Sequence, residues 1–496
     1  MQLQWRSMPC SYLRCGLRQV QNQEQTLELR LTEGMPDIGR VLWTWGQVHL
    51  RSKEWRKEHI GVAGGIQAFV LYAPEDGSEP RCVEGWIPFQ GKWNLPENHR
   101  EGHIWVEALL RSLDARALSS RKLMLRGSVA ILAETLEPAH SQVYEPQELP
   151  RGVEVYQRTY PLQLCREAGE KQFAVEDTLP LPGPPARKLL CCRACPLTTE
   201  TTVAGSRVVV RGTVRLHAVC MGEDDRLHSA TLQMPFAQFA DLDTSYDKDA
   251  SASVAMAVSD LSWDLVEGQL QIHCSLVAQY VIRDLLLLTL TQDAYSPGRV
   301  AEPTVEVLEL PVVLDRCQET LEAQVELPAQ AESVVDVHFL PDHPVQYREN
   351  EEIVMELPAA FQALYYDTEG MLQQASGEWS GNWRLAAGEN CGTRLSVQLP
   401  GEAEAAVVSD RMVLTNTVTV QAQTTVQQSF PMVTALDLGE LIPADPQRPS
   451  LILCRAGEKS LWELAKLCGS TVDAIKGANQ LSGEPADDQM LLIPVQ

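Results

Sequence analysis

The stretch Leu451-Ile-Leu-Cys-Arg-Ala-Gly-Glu-Lys-Ser-Leu-Trp-Glu-Leu-Ala-Lys466 runs on through Ser470-Thr-Val-Asp-Ala-Ile-Lys-Gly-Ala-Asn-Gln-Leu481 and closes on Leu491-Leu-Ile-Pro494. That order predicts strand, helix, helix, strand. Leu451 and Leu453 alternate outward from a short apolar strand, and Gly457 permits the turn that follows. Ser460 is placed to cap a helix beginning near Leu461, and Glu463 completes a capping box. Leu461, Leu464, Ala465 and Cys468 fall on one helical face. Ser470 or Thr471, with Asp473, opens a second helix whose inner face is Val472, Ile475 and Ala478. Met490 to Ile493 supply the returning strand, and Pro494 stops it.

Upstream of this unit, one pattern recurs. Arg40-Val-Leu-Trp lies over Lys188-Leu-Leu-Cys at an offset of 188 − 40 = 148. The same offset sets Gly64 on Gly212, Ile66 on Val214, Val70-Leu71-Tyr72 on Ala218-Val219-Cys220, and Asp76 on Asp224 in a turn. One residue is then lost, and Ile87-Pro88-Phe89 falls on Met234-Pro235-Phe236. Later, Leu123, Leu125, Val129 and Ile131 fall on Leu270, Ile272, Leu276 and Ala278. A divergent third copy begins at Ser333-Val-Val-Asp. It matches Ala363-Leu364-Tyr365 to Val70-Leu71-Tyr72 and Glu369-Gly370 to Asp76-Gly77, with Met412, Leu414, Val418 and Val420 as its late strand. A period of that length is a domain, not a solenoid unit. Apolar residues within each copy alternate and are rich in β-branched types, as in Val208 to Val214. Each copy is therefore expected to be antiparallel sheet folded as a small sandwich or open barrel. Linkers are expected at 137–150, at 179–186 and at 443–449, where proline is dense.

Composition narrows the function classes. A chain of 496 residues is too long for one core, and 44% apolar with 22% charged residues is ordinary for a folded protein. Lys and Arg number 41 against 66 acids, a formal charge of −25 that disfavours nucleic acid and anionic membranes. The basic run Arg51-Ser-Lys-Glu-Trp-Arg-Lys57 reads as a solvated edge. The first residues, with Arg6, Pro9 and Arg14, do not form a signal peptide, and Leu285 to Leu290 is too short to span a bilayer. Thirteen scattered cysteines do not resemble a secreted disulfide framework, so a reducing cytoplasm is expected, with no membrane insertion.

The C-terminal pattern resembles a LysM domain, whose motif is Gly-Asp-Thr-Leu-Trp-x-Ile-Ala followed by an Asn-x-Leu loop. The tandem copies resemble SPOCS domains, in which a Val-x-Val-x-Gly strand leads to an aromatic strand, an acidic turn and a Pro-Phe step. The match is clearest from Val208-Val-Val-Arg-Gly212 to Pro235-Phe236. Copy one keeps Gly64 and Pro88-Phe89. Copy three has Leu357 at the glycine position and lacks the Pro-Phe. The fold expected is mainly β: three tandem antiparallel β-rich SPOCS-like domains at 1–145, 150–300 and 301–442, then a small α+β (βααβ) LysM domain at 449–496. SPOCS units ending in a LysM are similar to the spore coat morphogenesis family of anaerobic endospore formers. Members of that family work in the mother-cell cytoplasm and bind, through LysM, the scaffold ATPase of the coat on the forespore surface.

The resemblance also implies a site. The LysM groove lies between Gly457, Glu458, Lys459, Ser460, Leu461 and Trp462 on one side and Asn479, Gln480, Leu481 and Ser482 on the other. Its backbone groups pair with N-acetyl groups of glycan. Here the usual Asp-Thr is Glu458-Lys459-Ser460, one residue longer, and Gln480 replaces a frequent glycine, which reshapes a groove that depends on close backbone approach. Leu461, Leu464, Ala465 and Ile475 read as core, and an exposed Trp462 would be a natural hot spot for a protein partner.

Other chemistry is thin. Cys191-Cys192-Arg-Ala-Cys195 contains a CxxC, but no second ligand pair follows, and the aligned positions Trp43, Thr44, Gln47 and Asp336, Val337, Leu340 offer no recurrent set. These cysteines read as buried strand residues. His99 and His103 flank Glu101 in a stretch that Pro96 and Gly102 mark as loop, a poor metal site. No Gly-x-Ser-x-Gly, HExxH or phosphate loop occurs, so neither enzyme activity nor a cofactor is expected. Two readings follow. The first is an adaptor of spore coat assembly whose LysM docks a coat scaffold ATPase or other coat protein. The second is a protein binding peptidoglycan or N-acetylglucosamine-containing glycan of wall or cortex.

Overall fold

The computed structural model describes residues 2–3, 5–386, 391–443, 447–486 and 489–495. The first group of strands is β1 (Gln2–Leu3), β2 (Trp5–Arg30), β3 (Ile38–Trp55), β4 (His59–Pro74), β5 (Arg81–Asn94), β6 (His103–Ser119) and β7 (Lys122–Pro146). The second is β8 (Glu154–Pro180), β9 (Ala186–Gly222), β10 (Leu227–Tyr246), β11 (Ser251–Val266) and β12 (Gln269–Tyr295). The third is β13 (Arg299–Pro328), β14 (Ala331–Pro341), β15 (Val345–Glu349), β16 (Glu352–Asp367), β17 (Leu372–Ala386), β18 (Cys391–Gln398), β19 (Glu404–Val408) and β20 (Arg411–Leu441). Last come β21 (Leu451–Arg455), α1 (Leu461–Cys468), α2 (Val472–Asn479) and β22 (Met490–Pro494). The chain is mainly β, and every strand pairing among the described residues is antiparallel.

Three cores each lie between two sheets. In the first, β3-β4-β5 faces β2-β7-β6, with Ile66, Val70 and Ile87 packed on Leu123, Leu125, Val129 and Ile131. In the second, β10-β9 faces β11-β12-β8, with Val208, Val214 and Met234 against Leu270, Ile272 and Leu276. In the third, the sheet around β16 faces the one around β20, bringing Phe361 and Ala363 onto Met412, Leu414, Val418 and Val420. Alternate residues of a strand point to one face, so period-two patterning suffices to fill each core.

One pair of facing residues explains both the repeated glycine and its loss. Phe89 lies opposite Gly64 and Phe236 opposite Gly212. A Cβ on Gly64 would meet Phe89 Cζ at 2.5 Å, and one on Gly212 would meet Phe236 Cζ at 2.6 Å; a neighbouring backbone carbonyl, of His49 or Leu197, crowds each from the other side. The phenyl ring thus occupies the space of the missing side chain. In the third core Leu357 stands opposite Gly381, so the large residue has moved to the other strand and the small one has taken its place. The motif disappears, and the space beside Gly381 is taken by Trp379 and Leu321. Gly212→Ala should destabilise the protein by about 1–3 kcal/mol through overpacking. A urea midpoint shift restored in part by adding Phe236→Leu checks it.

The three groups meet at a shared apolar cluster to which aligned positions contribute in turn: Leu42, Leu190 and Val335 form one set, and Leu71, Val219 and Leu364 another. Trp43 and Cys191 belong to the same cluster, and the residue aligned with them is Asp336, 3% exposed. Its carboxylate contacts His338 Nε2 at 2.7 Å, His217 Nε2 at 2.7 Å and Arg193 at 3.5 Å. Burial alone would raise the Asp336 carboxyl, but His338, His217 and Arg193 outweigh it and hold it well below the usual range. Burial, reinforced by Arg193, lowers His338 to about 4 against the pull of Asp336. An unfolded His338 takes up its proton near pH 6.5, while the folded one resists until about 4. Between those values the unfolded state binds more protons, so stability falls as pH drops through that window, by up to about 3 kcal/mol. His49 and His343, both lowered first by burial, steepen the same fall. His338→Gln should reduce the acid slope of denaturation free energy by about one proton and leave it unchanged above pH 7.

Below the sandwiches the outer strands continue as three two-stranded ribbons. They pair Trp5 with Pro146, Glu154 with Tyr295, and Arg299 with Leu441 at their far ends. Cys10, Val143, Leu164, Leu290, Leu310 and Phe430 bind them together. The linker expected at 137–150 is therefore mostly strand to Pro146, with the break only beyond it. Pro138 sits where β7 has passed its last pairing with β6 and has β2 alone beside it, an edge position that needs no donor there. Of the other expected linkers, 179–186 is a turn between strands that themselves reach Pro180 and resume at Ala186, and residues 444–446 of the last lie outside the described residues. Gln2–Leu3 pairs with Leu436 and Asp437, joining the first strand to the last long one. Among the described residues no helix is long and apolar enough to cross a membrane.

Candidate functional site

The βααβ order of residues 451–494 is as read from the sequence. Ser460 accepts from Glu463 N at 3.3 Å, and Glu463 accepts in return from Ser460 N at 2.8 Å, completing the capping box. The Glu463 carboxyl is lowered, chiefly by the Ser460 amide. Leu461, Leu464, Ala465, Ile475, Leu491 and Ile493 form the small core, with Cys468 and Val472 partly buried beside it. Of the two caps expected for α2, Thr471 is the one used, accepting from Ala474 N at 3.1 Å, while Ser470 is buried. One detail differs from expectation. Ala478 is exposed, because an eight-residue helix on this small sheet buries a single turn around Ile475.

Two polar groups of the expected groove are engaged within the chain itself. Leu461 N, an unpaired donor of the first helical turn, donates to Glu484 Oε2 at 2.9 Å. Glu484 belongs to the opposite loop and escaped the sequence reading. Asn479 is fully committed: Nδ2 donates to Ile475 O at 2.8 Å and Leu492 O at 2.6 Å, and Oδ1 accepts from Leu492 N at 2.7 Å. It ties α2 to β22 and has no donor left for a ligand. Gln480 closes α2 at φ 54, the left-handed region where glycine is easier. Leu481 packs on the small core, and Gly457, Glu458, Lys459 and Ser482 are exposed at the rim.

Trp462 is not an exposed hot spot. It points away from the groove to the second ribbon, where its ring packs edge-on to Tyr295 at 4.8 Å and tilted against Tyr156 at 5.5 Å. Its Nε1 donates to Asp293 Oδ2 at 2.9 Å, and Lys466 pairs with the same carboxylate at 2.8 Å. Tyr295 Oη donates to Ser470 O at 2.8 Å. The unit is thus docked on the end of β12 through Trp462.

What stays open is the outer face of its sheet. Leu453 pairs with Leu492, Arg455 with Met490, and Leu451 with Pro494. Leu451, Leu453, Met490 and Leu492 are 51%, 62%, 53% and 39% exposed. The signal was present in the sequence as leucine at outward positions of an alternating strand, where a polar residue is usual.

The other candidates resolve locally. Cys191 and Cys192 are buried and point to opposite faces, Cys191 into the shared cluster and Cys192 into the second core, so the two cannot chelate one ion together. Burial pushes the Cys192 thiol up to about 12 and Cys191 well above its ordinary value. Cys195 is half-buried. His99 lies in the loop before β6 with Nδ1 on Pro96 O at 2.7 Å, and His103 begins β6. A cleft of about 470 Å3 between the first two cores is lined by Lys53, Trp55, His103, Glu167, Glu170 and Tyr280. Its central cation, Lys53, is held by Glu170 at 2.5 Å, Gln279 at 2.8 Å and Ile104 O at 2.8 Å. Comparison of the chain with family models, curated proteins and solved structures gives no match.

Proposed function

We propose that the chain is a non-enzymatic adaptor of spore coat assembly, in which the LysM-like unit docks a coat scaffold ATPase or another coat protein at the mother-cell face of the forespore. One observation carries the choice of a protein over a glycan partner. The groove amide of Leu461 and the side chain of Asn479 are engaged internally, whereas an apolar sheet face is turned to solvent. With these polar groups engaged, the groove has less to offer an N-acetyl group, and exposed apolar patches are typical of protein-binding surfaces. The coat context rests on the resemblance of residues 208–236 and 451–494 to the SPOCS and LysM patterns. The cleft cation is engaged within the fold, which favours a structural role for that cleft. Titration of the full chain with N-acetylglucosamine oligomers tests the choice. No saturable binding is expected below millimolar concentration; micromolar affinity would overturn the protein-docking reading in favour of the glycan one.

A further inference from the structure

Where each sandwich passes into its ribbon, the outer strand pairing slips. The register shifts fall between Cys15 and Arg18 on β2, between Ile282 and Arg283 opposite β8, and between Val313 and Asp315 on β13. Bulges of this kind re-aim side chains. Around them gather Arg18 from the first group, Arg283 from the second, and Arg316 and Arg394 from the third. The carboxylate facing them among the described side chains is Glu134, and its contacts are loose, 4.0 Å to Arg18 and 3.5 Å to Arg394. The nearby Glu137 is taken by Arg14 at 3.1 Å.

The cations are graded in depth. Arg283 is 1% exposed, the side chains of Arg394 and Arg18 are 15% and 25% exposed, and Arg316 lies at the surface. Arg283 Nη1 donates to Ser253 at 2.7 Å, and Arg316 donates to Ser251 at 3.1 Å, two residues along the same strand. Arg394 stacks on Trp105 at 4.2 Å. Arg283 Nε and Arg394 Nη2 are buried with no hydrogen-bond acceptor. Burial lowers the Arg283 guanidinium to about 10, and Arg394 and Arg316 add to that effect, so these groups lie within electrostatic reach of one another.

Among the described side chains, two buried guanidinium groups, Arg283 and Arg394, each keep an N–H without an acceptor while the nearby Glu134 carboxylate is only loosely engaged. Unpaired buried charge is costly, and guanidinium forks favour oxyanions. We propose that this layer is a binding site for one small tetrahedral oxyanion of the phosphate or sulfate class, reached past Arg316 and held by Arg283 and Arg394. The burial of Arg283 and Arg394 excludes a bulky phosphorylated ligand from the inner position.

Thermal unfolding of the full chain in phosphate, sulfate or gluconate at matched ionic strength tests the site. Phosphate and sulfate should raise the Tm saturably, by about 3–5 °C well above the dissociation constant, and gluconate should not. Arg283→Met, which keeps the stem and removes the charge, should fold and lose the anion response. Should that variant not fold, crystals of the unaltered protein soaked in selenate should place an anomalous peak between Arg283 and Arg394. Equal Tm in all three salts, or selenate absent from this layer, would overturn the proposal.

Discussion

Asp336→Asn should cost about 3 kcal/mol of stability, the lower end of the range for breaking a buried ion pair, because Arg193 keeps a quarter of its side chain in water. The substitution keeps the shape of Asp336 and removes its charge. His217 and Arg193, from the second group of strands, then face a neutral amide in an apolar cluster shared by all three groups. The effect should be global, a fall in the urea midpoint seen by all probes together. Asp241→Asn provides the scale: its pair with Arg207 is 73% and 57% exposed, and it should cost less than about 1 kcal/mol. Equal effects from the two substitutions would mean that the Asp336 cluster does not hold the three groups together.

Trp462→Ala should have an effect of similar size, about 3 kcal/mol, at the lower end for deleting a buried aromatic because the ring is only half-buried. It removes two ring contacts with Tyr156 and Tyr295 and takes the indole donor from Asp293, which keeps Lys466 and the Ala294 amide. The loss should be local. Amide exchange should accelerate in α1 and at the end of β12, while the three sandwich cores keep their protection. Lys466→Ala removes a mostly exposed ion pair to the same carboxylate and should change exchange little. Since Leu461, Leu464 and Ile475 still form the small core, the unit should remain folded but no longer be held to the ribbon.

What could be read from the sequence was local. The capping box at Ser460 and Glu463, the αα pair and the alternating core strands each depend on residues a few positions apart, and the structure has them. The Gly64–Phe89 and Gly212–Phe236 pairs were visible as repeated motifs, but the reason for them lies across strands. The same reason hides the third copy: Leu357 and Gly381 make the exchange on neighbouring strands, and no short pattern reports it. Prolines at 138 and 146 read as linker because the register that leaves Pro138 at an edge is not local information. In the candidate site, Asn479 and Trp462 matched a family motif, yet their partners fix different roles. Leu492 occupies one, and Asp293, Tyr156 and Tyr295, far back in the chain, occupy the other. Glu484 has no motif at all and is found only by following the Leu461 amide.

The central claim is that the outer sheet face of the C-terminal unit, and not its groove, carries the binding. Affinity purification from sporulating cells tests it most directly, with the full chain compared against Leu453→Glu/Leu492→Glu and against Lys459→Ala/Gln480→Ala. The sheet-face variant should lose a coat protein retained by the full chain, by tenfold or more, and the groove variant should retain it. Loss from the groove variant with retention by the sheet-face variant would contradict the account.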